Sequence, residues 1–242
     1  MPEQNGEEIA IGSAICIEFL PCLYYRLTSC TEQHQPGPPM NTLIRTIEVI
    51  GIFAFALTGI IEARKKGMDF VGIYAVGMVT AFGGGTLRDL VLGRHPLFWV
   101  EHYWYPVILL FLSALASAIV RHVTEHVRSM VVVQVLDALG LGLFAASGAS
   151  VAHHAGVNQF ISSLIGVMTG VFGGVLRDII CNEIPYVFRR TELYATCAFV
   201  GAWVYLLVAG AGGDELAAVM GCITITFVLR ILAIRYKIRL PI

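Results

Sequence analysis

The sequence predicts an all-α integral membrane protein with seven transmembrane helices. Of its 242 residues, 57% are hydrophobic and only 14% are charged, whereas about a quarter of the residues in soluble domains are charged. Apolar segments of spanning length, about 20 residues, recur between short polar or basic connections. An internal duplication divides six of the helices into two sets of three. Because the apolar runs are continuous and do not alternate with polar residues, a membrane-spanning barrel of strands is disfavoured.

Residues 1–39 differ from the rest of the chain. They combine an acidic start, a short apolar stretch that is marginal for a span, and a proline-rich segment. We therefore expect an N-terminal extension outside the fold, with Met40 as the natural start. Spanning segments are predicted at residues 43–62, 70–92, 104–120, 131–151, 160–181, 193–210 and 215–234. This gives a first three-helix repeat at 41–122, a second at 130–211 and a seventh helix at 214–236.

The basic residues of the connections are distributed unevenly between the two faces of the membrane. One face collects Arg64, Lys65, Lys66, Arg121, Arg128, Arg189, Arg190, Arg235, Lys237 and Arg239. By the positive-inside rule that face is cytoplasmic, which places the N-terminus outside and the C-terminus in the cytoplasm. An odd number of spans agrees with this orientation. The sequence therefore predicts a multi-pass protein of the bacterial inner (plasma) membrane.

The duplication rests on two nearly identical stretches, "FGGGTLRDL" at Phe82–Leu90 and "FGGVLRDII" at Phe172–Ile180. Aligning Arg88 with Arg177 sets an offset of 89 residues, which pairs further identities without a gap. These include Gly51 with Gly140, Phe55 with Phe144, Gly59 with Gly148, Thr80 with Thr169 and Pro96 with Pro185. Because each repeat holds three spans, the second copy enters the membrane from the opposite face. The sequence thus predicts an inverted repeat about a pseudo-two-fold axis in the membrane plane.

Glycines interrupt the apolar pattern of the second and fifth predicted helices. They are Gly83, Gly84 and Gly85 in the first repeat, and Gly173 and Gly174 in the second. Glycine lowers helix propensity by about 1 kcal/mol relative to alanine, so we expect both helices to be interrupted and bent there. The bends would turn carbonyl groups toward a pathway for a solute. The alternative is close packing of two helices through small residues.

Six charged residues lie within the predicted spans. They are Glu48, Arg88 and Asp89 in the first repeat, and Asp137, Arg177 and Asp178 in the second. From the rise of about 1.5 Å per helical residue, Glu48 and Arg88 lie at similar depth, as do Asp137 and Arg177. We therefore predict two ion pairs, Glu48 with Arg88 and Asp137 with Arg177. These pairs either fix helix register only or take part in gating and in attracting ions.

Four hydroxyls are candidates for lining a polar pathway: Thr58, Thr80, Ser147 and Thr169. Their alternative role is a hydrogen bond to a carbonyl of their own helix. No disulfide framework or metal site is predicted, because the six cysteines are scattered and lack ligand spacing. No cofactor is expected, and the net charge of −1 gives no basic surface for nucleic acid. An enzyme is not predicted, since no nucleophile with a partnered base and no phosphate loop is recognisable.

The paired "GGGTLRD" and "FGGVLRD" motifs, each followed by a proline, resemble the prokaryotic relatives of the trimeric intracellular cation channels. This family is also known as the UPF0126 domain family and includes bacterial proteins described as glycine transporters. The resemblance covers residues 41–238. It implies a homotrimer with a pore in each protomer, lined chiefly by helices one, two, four and five and narrowed at the glycine motifs. The residues that carry over are Gly83, Gly84, Gly85, Arg88, Asp89, Gly173, Gly174, Arg177 and Asp178.

The resemblance implies passive passage of monovalent cations, mainly potassium, with membrane lipids as surroundings. In the animal channels, helix two carries a lysine-containing lipid-binding motif, and here the Arg88–Asp89 pair stands in that stretch. A different class of function stays open: a secondary transporter for glycine or another small amino acid, using the same helices opened alternately to each side. A structural scaffold without transport is the third reading, weakened by the charged residues within the spans.

Overall fold

The computed structural model describes residues 42–119, 130–188 and 193–238, which belong to one compact unit, Pro39–Ile242. All regular secondary structure in these ranges is helical, as predicted. The predicted N-terminal extension at 1–39 lies outside the described residues. The same holds for five of the basic residues used to predict orientation, namely Arg121, Arg128, Arg189, Arg190 and Arg239.

A helix coincides with each of the seven predicted segments. The described helices are α1 (Thr42–Lys65), α2 (Phe70–Val91), α3 (Phe98–Glu101), α4 (Trp104–Ile119), α5 (Met130–His154), α6 (Gln159–Ile180), α7 (Ala195–Gly210) and α8 (Glu215–Tyr236), with a 3-10 turn at Tyr186–Phe188. Five of them, α1, α2, α5, α6 and α8, are long and apolar enough to cross a membrane. Helices α4 and α7 have 16 residues each. The four-residue α3 and the 3-10 turn were not predicted.

The duplication extends to the ends of the helices. Asp69 caps the start of α2 by accepting a hydrogen bond from the Gly72 amide, and Asn158 caps α6 by accepting from the Phe160 amide. These two caps are themselves 89 residues apart. Each is preceded by a glycine with positive φ, Gly67 at 73° and Gly156 at 74°, a conformation that glycine adopts without strain. The duplicated sequence therefore specifies the same connection twice.

Helices α1 and α5 meet at the centre of the described fold through a matched pair of aromatic rings. Phe55 and Phe144, which are equivalent in the duplication, stack with ring centroids 5.2 Å apart. Each ring lies over the glycine of the opposite helix: a methyl group at Gly140 would overlap Phe55, and one at Gly51 would lie 3.0 Å from Phe144. The contact is reciprocal because each half supplies the same ring and the same glycine.

The two halves are also joined at the surface by an ion pair. The Lys66 ammonium, after α1, donates to Glu183 Oε1 at 2.6 Å, after α6. This hydrogen bond raises the pKa of Lys66 above its usual value. The contribution of the pair to stability is therefore fully present below the usual lysine pKa and is lost as pH rises through the raised pKa. Near neutral pH Lys66 stays protonated, so we expect the contribution of this ion pair to stability to be constant there.

Glu183→Gln is expected to make Lys66 more reactive toward amine-acylating reagents at mildly alkaline pH. Removing the carboxylate lowers the pKa of Lys66 and increases its neutral, nucleophilic fraction. Peptide mass spectrometry measures the acylation rate, with Lys65, paired to Glu62, as the internal control. Equal rates for Lys66 in the two proteins would contradict the prediction.

Candidate functional site

Helices α2 and α6 cross at backbone contact where the glycine motifs meet. A methyl group in place of the Gly84 hydrogen would overlap the Thr169 carbonyl oxygen, and one at Gly173 would overlap the Thr80 carbonyl oxygen. Gly84 is equivalent to Gly173, and Thr80 to Thr169, so the crossing is reciprocal. Gly83 faces the same crossing, since its added methyl would lie 2.8 Å from Leu176. Gly83, Gly84 and Gly173 therefore serve a close approach of the two halves.

The expectation that the glycines interrupt their helices is wrong. Helix α2 continues unbroken through Gly83, Gly84 and Gly85, and α6 through Gly173 and Gly174. The loss of intrinsic propensity is offset because the absent side chains admit a neighbour: the opposite backbone at Gly84 and Gly173, and the Phe98 ring at Gly85. The alternative drawn from the sequence, close packing through small residues, is the one the structure adopts.

The predicted pair of Glu48 and Arg88 is present and buried. The Arg88 guanidinium donates through Nη1 to Glu48 Oε1, and it pairs through Nη2 with Asp89 Oδ1 at 2.7 Å. The Ser147 hydroxyl donates to Glu48 and accepts from Arg88 Nη1 at 2.6 Å. Because Ser147 belongs to α5, this network ties the second half of the chain to the first.

Asp89 also anchors the chain that follows α2. Its Oδ2 accepts a hydrogen bond from the Phe98 amide at 3.2 Å, at the start of α3. The Phe98 ring in turn lies 5.7 Å from the Arg88 guanidinium carbon, at cation–π distance. The adjacent Arg88 and Asp89 thus hold a returning segment against the end of their own helix.

The second half repeats this arrangement. Arg177 Nη1 donates to Asp137 Oδ1 at 2.9 Å, which is the second predicted pair. Asp178 Oδ1 pairs with Arg177 Nη2 at 2.9 Å, and its Oδ2 accepts from the Tyr186 amide at 3.1 Å. The Tyr186 ring lies 5.9 Å from the Arg177 guanidinium carbon. Each half therefore buries one guanidinium between two carboxylates beneath an aromatic ring.

The four predicted hydroxyls divide into two roles. Thr58 donates to the Phe55 carbonyl, Thr80 to the Val76 carbonyl and Thr169 to the Ile165 carbonyl, so these three bond to their own helices. Ser147 alone among the four joins a charged network. Thr58 is its equivalent in the duplication, and its hydroxyl donates to its own helix and not to Asp137. The buried networks of the two halves differ at this position.

Ser147→Ala is expected to destabilise the protein by about 1–3 kcal/mol, because it removes a donor from the buried Glu48 carboxylate. Thr58→Ala, at the equivalent position, removes a hydrogen bond to the Phe55 carbonyl, which is a backbone group of the same helix. The expected destabilisation is therefore smaller, about 1 kcal/mol. Chemical denaturation of the two variants in one detergent measures the difference. Equal destabilisation would contradict the distinct role of Ser147.

Two features of the site were missed from the sequence. Tyr194 lies over Arg230, whose guanidinium carbon is 4.8 Å from the ring centre, and Arg230 is buried although it lies in α8. Arg230 Nη1 donates to the Leu193 carbonyl at 3.0 Å. Tyr105 and Tyr194 are equivalent by the 89-residue offset, and each lies close enough to the acid of its half, Glu48 or Asp137, to interact electrostatically. The 89-residue offset is the signal in the sequence that could have identified these tyrosines.

Comparison with known proteins places the chain in a family. A family model described as glycine transporter matches it twice, over residues 45–122 and 134–210, in register with the duplication. The chain is also 36% identical over 201 residues to the UPF0126 inner membrane protein YadS of Escherichia coli K12. That alignment covers 82% of this chain and 95% of the relative. The chain belongs to the UPF0126 family.

Solved structures have the same fold as this UPF0126 protein. A TRIC trimeric intracellular cation channel orthologue from Rhodobacter sphaeroides gives a TM-score of 0.76 at 34% identity, over 82% of this chain and 100% of that one. A structure of TRIC cation channels gives a TM-score of 0.72 at 40% identity, over 82% and 96% of the two chains. The UPF0126 relatives are described as membrane proteins, the solved structures as cation channels, and the matching family model as glycine transporter.

Proposed function

We propose that this UPF0126 protein is a passive channel for monovalent cations, chiefly potassium, in the bacterial inner membrane. The observation that carries the proposal is its likeness, at 34% identity over 82% of the chain, to a structure described as a cation channel orthologue. The relative from Escherichia coli is named an inner membrane protein, which supports the location.

The proposed cation pathway lies within one protomer and is narrowest where α2 and α6 cross. Gly84 and Gly173 hold these helices at backbone contact, so a small separation there would open or close a passage. A buried group of one guanidinium and two carboxylates anchors the end of each helix. We propose that these carboxylates attract cations toward the crossing. Of the four hydroxyls, Ser147 fits such a path best because it already joins charged groups.

We propose the predicted topology of seven spans, with repeats at 41–122 and 130–211 inverted in the membrane and an added helix at 214–236. The reciprocal contacts of Phe55 with Phe144 and of the glycine motifs support an axis relating the halves. The N-terminus would lie outside, the C-terminus in the cytoplasm, and residues 1–39 would form an extension. The described part of the cytoplasmic face then carries the cationic cluster of Arg64, Lys65 and Lys66.

A homotrimer with one pathway in each protomer is the proposed assembly. Its support is the description of the Rhodobacter sphaeroides relative as trimeric, at 100% coverage of that chain. Mass measurement of the detergent-solubilised protein, corrected for bound detergent and lipid, checks this assembly, which requires three chains per particle.

The second candidate is a secondary transporter for glycine. It is favoured by the description of the matching family model as glycine transporter. Such a transporter would open the α2–α6 crossing to one side at a time, whereas a channel requires a passage open to both.

Flux through vesicles containing the purified protein separates the two candidates. A channel releases potassium down its gradient, at a rate that is independent of glycine, when a counter-ion path is supplied. Protein-free vesicles of the same lipid composition are the control. Uptake of labelled glycine against its gradient, without a potassium leak, would overturn the channel proposal.

A further inference from the structure

An apolar crevice opens between α1 and α4 on the outer surface of the first half. It encloses about 40 Å³ and is lined by Val49, Ile52, Phe53, Tyr105, Ile108 and Leu109. Ile52 and Leu109 form its floor, with 4% and 2% of their surface exposed, while Phe53 and Ile108 form its rim at 38% and 43%. Since these apolar side chains belong to helices of a membrane protein, a lipid chain can reach the crevice unless a second copy of the chain covers it.

The duplication identifies the counterpart of this crevice in the second half, where helix α8 packs. The residues 89 positions on from the crevice lining are Ala138, Leu141, Gly142, Tyr194, Cys197 and Ala198. Helix α8 packs against α5 and α7 at this place. An added methyl at Gly142 would lie 3.1 Å from the Ile223 carbonyl oxygen of α8. The second half therefore covers the equivalent surface with its own helix.

The size of the lining residues indicates that the first-half crevice is not shaped for a helix. Where the second half has Ala138, Gly142 and Cys197, the first half has Val49, Phe53 and Ile108. These larger side chains keep a helix, which is about 10 Å wide, away from the floor of the crevice. The space of about 40 Å³ that remains is too small for a helix and admits only part of one hydrocarbon chain lying along the groove.

A cationic side chain lies above the crevice at the membrane boundary. Arg45, near the start of α1, is one helical turn from Val49 and on the same face of the helix. Its side chain is exposed, and no carboxylate of the described residues lies within ion-pair distance of it. It is also close enough to Tyr105, at the crevice mouth, to interact with the tyrosine hydroxyl electrostatically. With a rise of about 1.5 Å per residue, Phe53 lies roughly 12 Å deeper than Arg45.

We propose that this crevice is a specific site for an anionic phospholipid, with its phosphate at Arg45 and one acyl chain between α1 and α4. A guanidinium at the boundary above a narrow apolar channel matches the order of charge and hydrocarbon in such a lipid. The site lies in the leaflet at the amino-terminal end of α1. The proposed lipid site does not depend on whether the protein is a channel or a transporter.

Native mass spectrometry of the purified full-length protein tests this site with phosphatidylglycerol and phosphatidylcholine of identical acyl chains. Arg45→Gln is expected to weaken phosphatidylglycerol binding about five-fold, the effect of one basic residue near an anionic headgroup, and to leave phosphatidylcholine binding unchanged. Ile108→Trp fills the crevice and is expected to weaken binding of both lipids. Val49→Phe provides the same test if Ile108→Trp does not accumulate as folded protein.

The matched controls are Arg235→Gln, an exposed arginine of α8, and Leu164→Trp, a residue of α6 that is 43% exposed. Both should bind the two lipids as the unmodified protein does. Phosphatidylglycerol binding that is equal in Arg45→Gln and Arg235→Gln would overturn the proposal. A change in the number of chains per particle in Ile108→Trp, with lipid binding intact, would show instead that a second copy of the chain covers the crevice.

Discussion

Gly84→Ala is expected to destabilise the folded protein by about 1–3 kcal/mol, the usual cost of forcing an added methyl into a packed interior. The methyl group would overlap the carbonyl oxygen of Thr169 in the crossing helix. A backbone atom cannot rotate away as a side chain can, so α2 and α6 must move apart. Gly173→Ala should behave alike, because its methyl would meet the equivalent carbonyl of Thr80.

Gly77→Ala is the matched control for this substitution. Gly77 is also in α2, but an added methyl there would lie 3.3 Å from the side chain of Ile60, which can adjust. Both variants gain the same helix propensity, so their difference isolates the crossing. Thermal and chemical unfolding in detergent measures the stability of each. If Gly84→Ala is as stable as Gly77→Ala, the close crossing of α2 and α6 does not hold the fold together.

Arg88→Met is expected to cost about 3–5 kcal/mol, the range found when one partner of a buried ion pair is removed. The substitution leaves Glu48 and Asp89 buried, at 3% and 2% exposure, without their cation. Adding Glu48→Gln should restore part of the loss, because one of the two unpaired charges is then removed. Arg177→Met is expected to give a comparable loss through Asp137 and Asp178.

Arg235→Met controls for the general loss of an arginine, since Arg235 is exposed near the end of α8. Unfolding free energies of Arg88→Met, Glu48→Gln and the double variant form a thermodynamic cycle. A coupling near zero between Glu48 and Arg88 would contradict a buried pair in which each charge depends on the other.

The sequence was sufficient for the seven longer apolar helices that the structure describes and for the buried ion pairs, but not for the short α3 and the 3-10 turn. A constant offset of 89 residues and the depth of Glu48 and Arg88 along their helices placed the two side chains together, and the structure brings them into contact. The same reasoning applied to Asp137 and Arg177. Pairs of this kind are predictable because an unpaired charge within a span is costly, so each charge requires a partner at its own depth.

The glycine motif shows what the sequence could not decide. Low helix propensity at Gly84 is the same whether the exposed backbone faces a pathway or another helix, and only the position of Thr169 distinguishes the two. The roles of the two equivalent hydroxyls could not be predicted for the same reason. Ser147 donates to Glu48 across the interface between the halves, while Thr58 donates to a carbonyl of its own helix. Such choices depend on contacts between distant segments, which periodicity and composition do not contain.

Current through a planar bilayer containing the purified protein tests most directly whether the chain is a cation channel. In potassium chloride without glycine, the proposed function requires unitary current steps. Under a potassium chloride gradient, the reversal potential should lie near the value for potassium and not near that for chloride. Bilayers that stay electrically silent, while the same protein preparation accumulates labelled glycine in vesicles, would contradict the channel and establish the transporter.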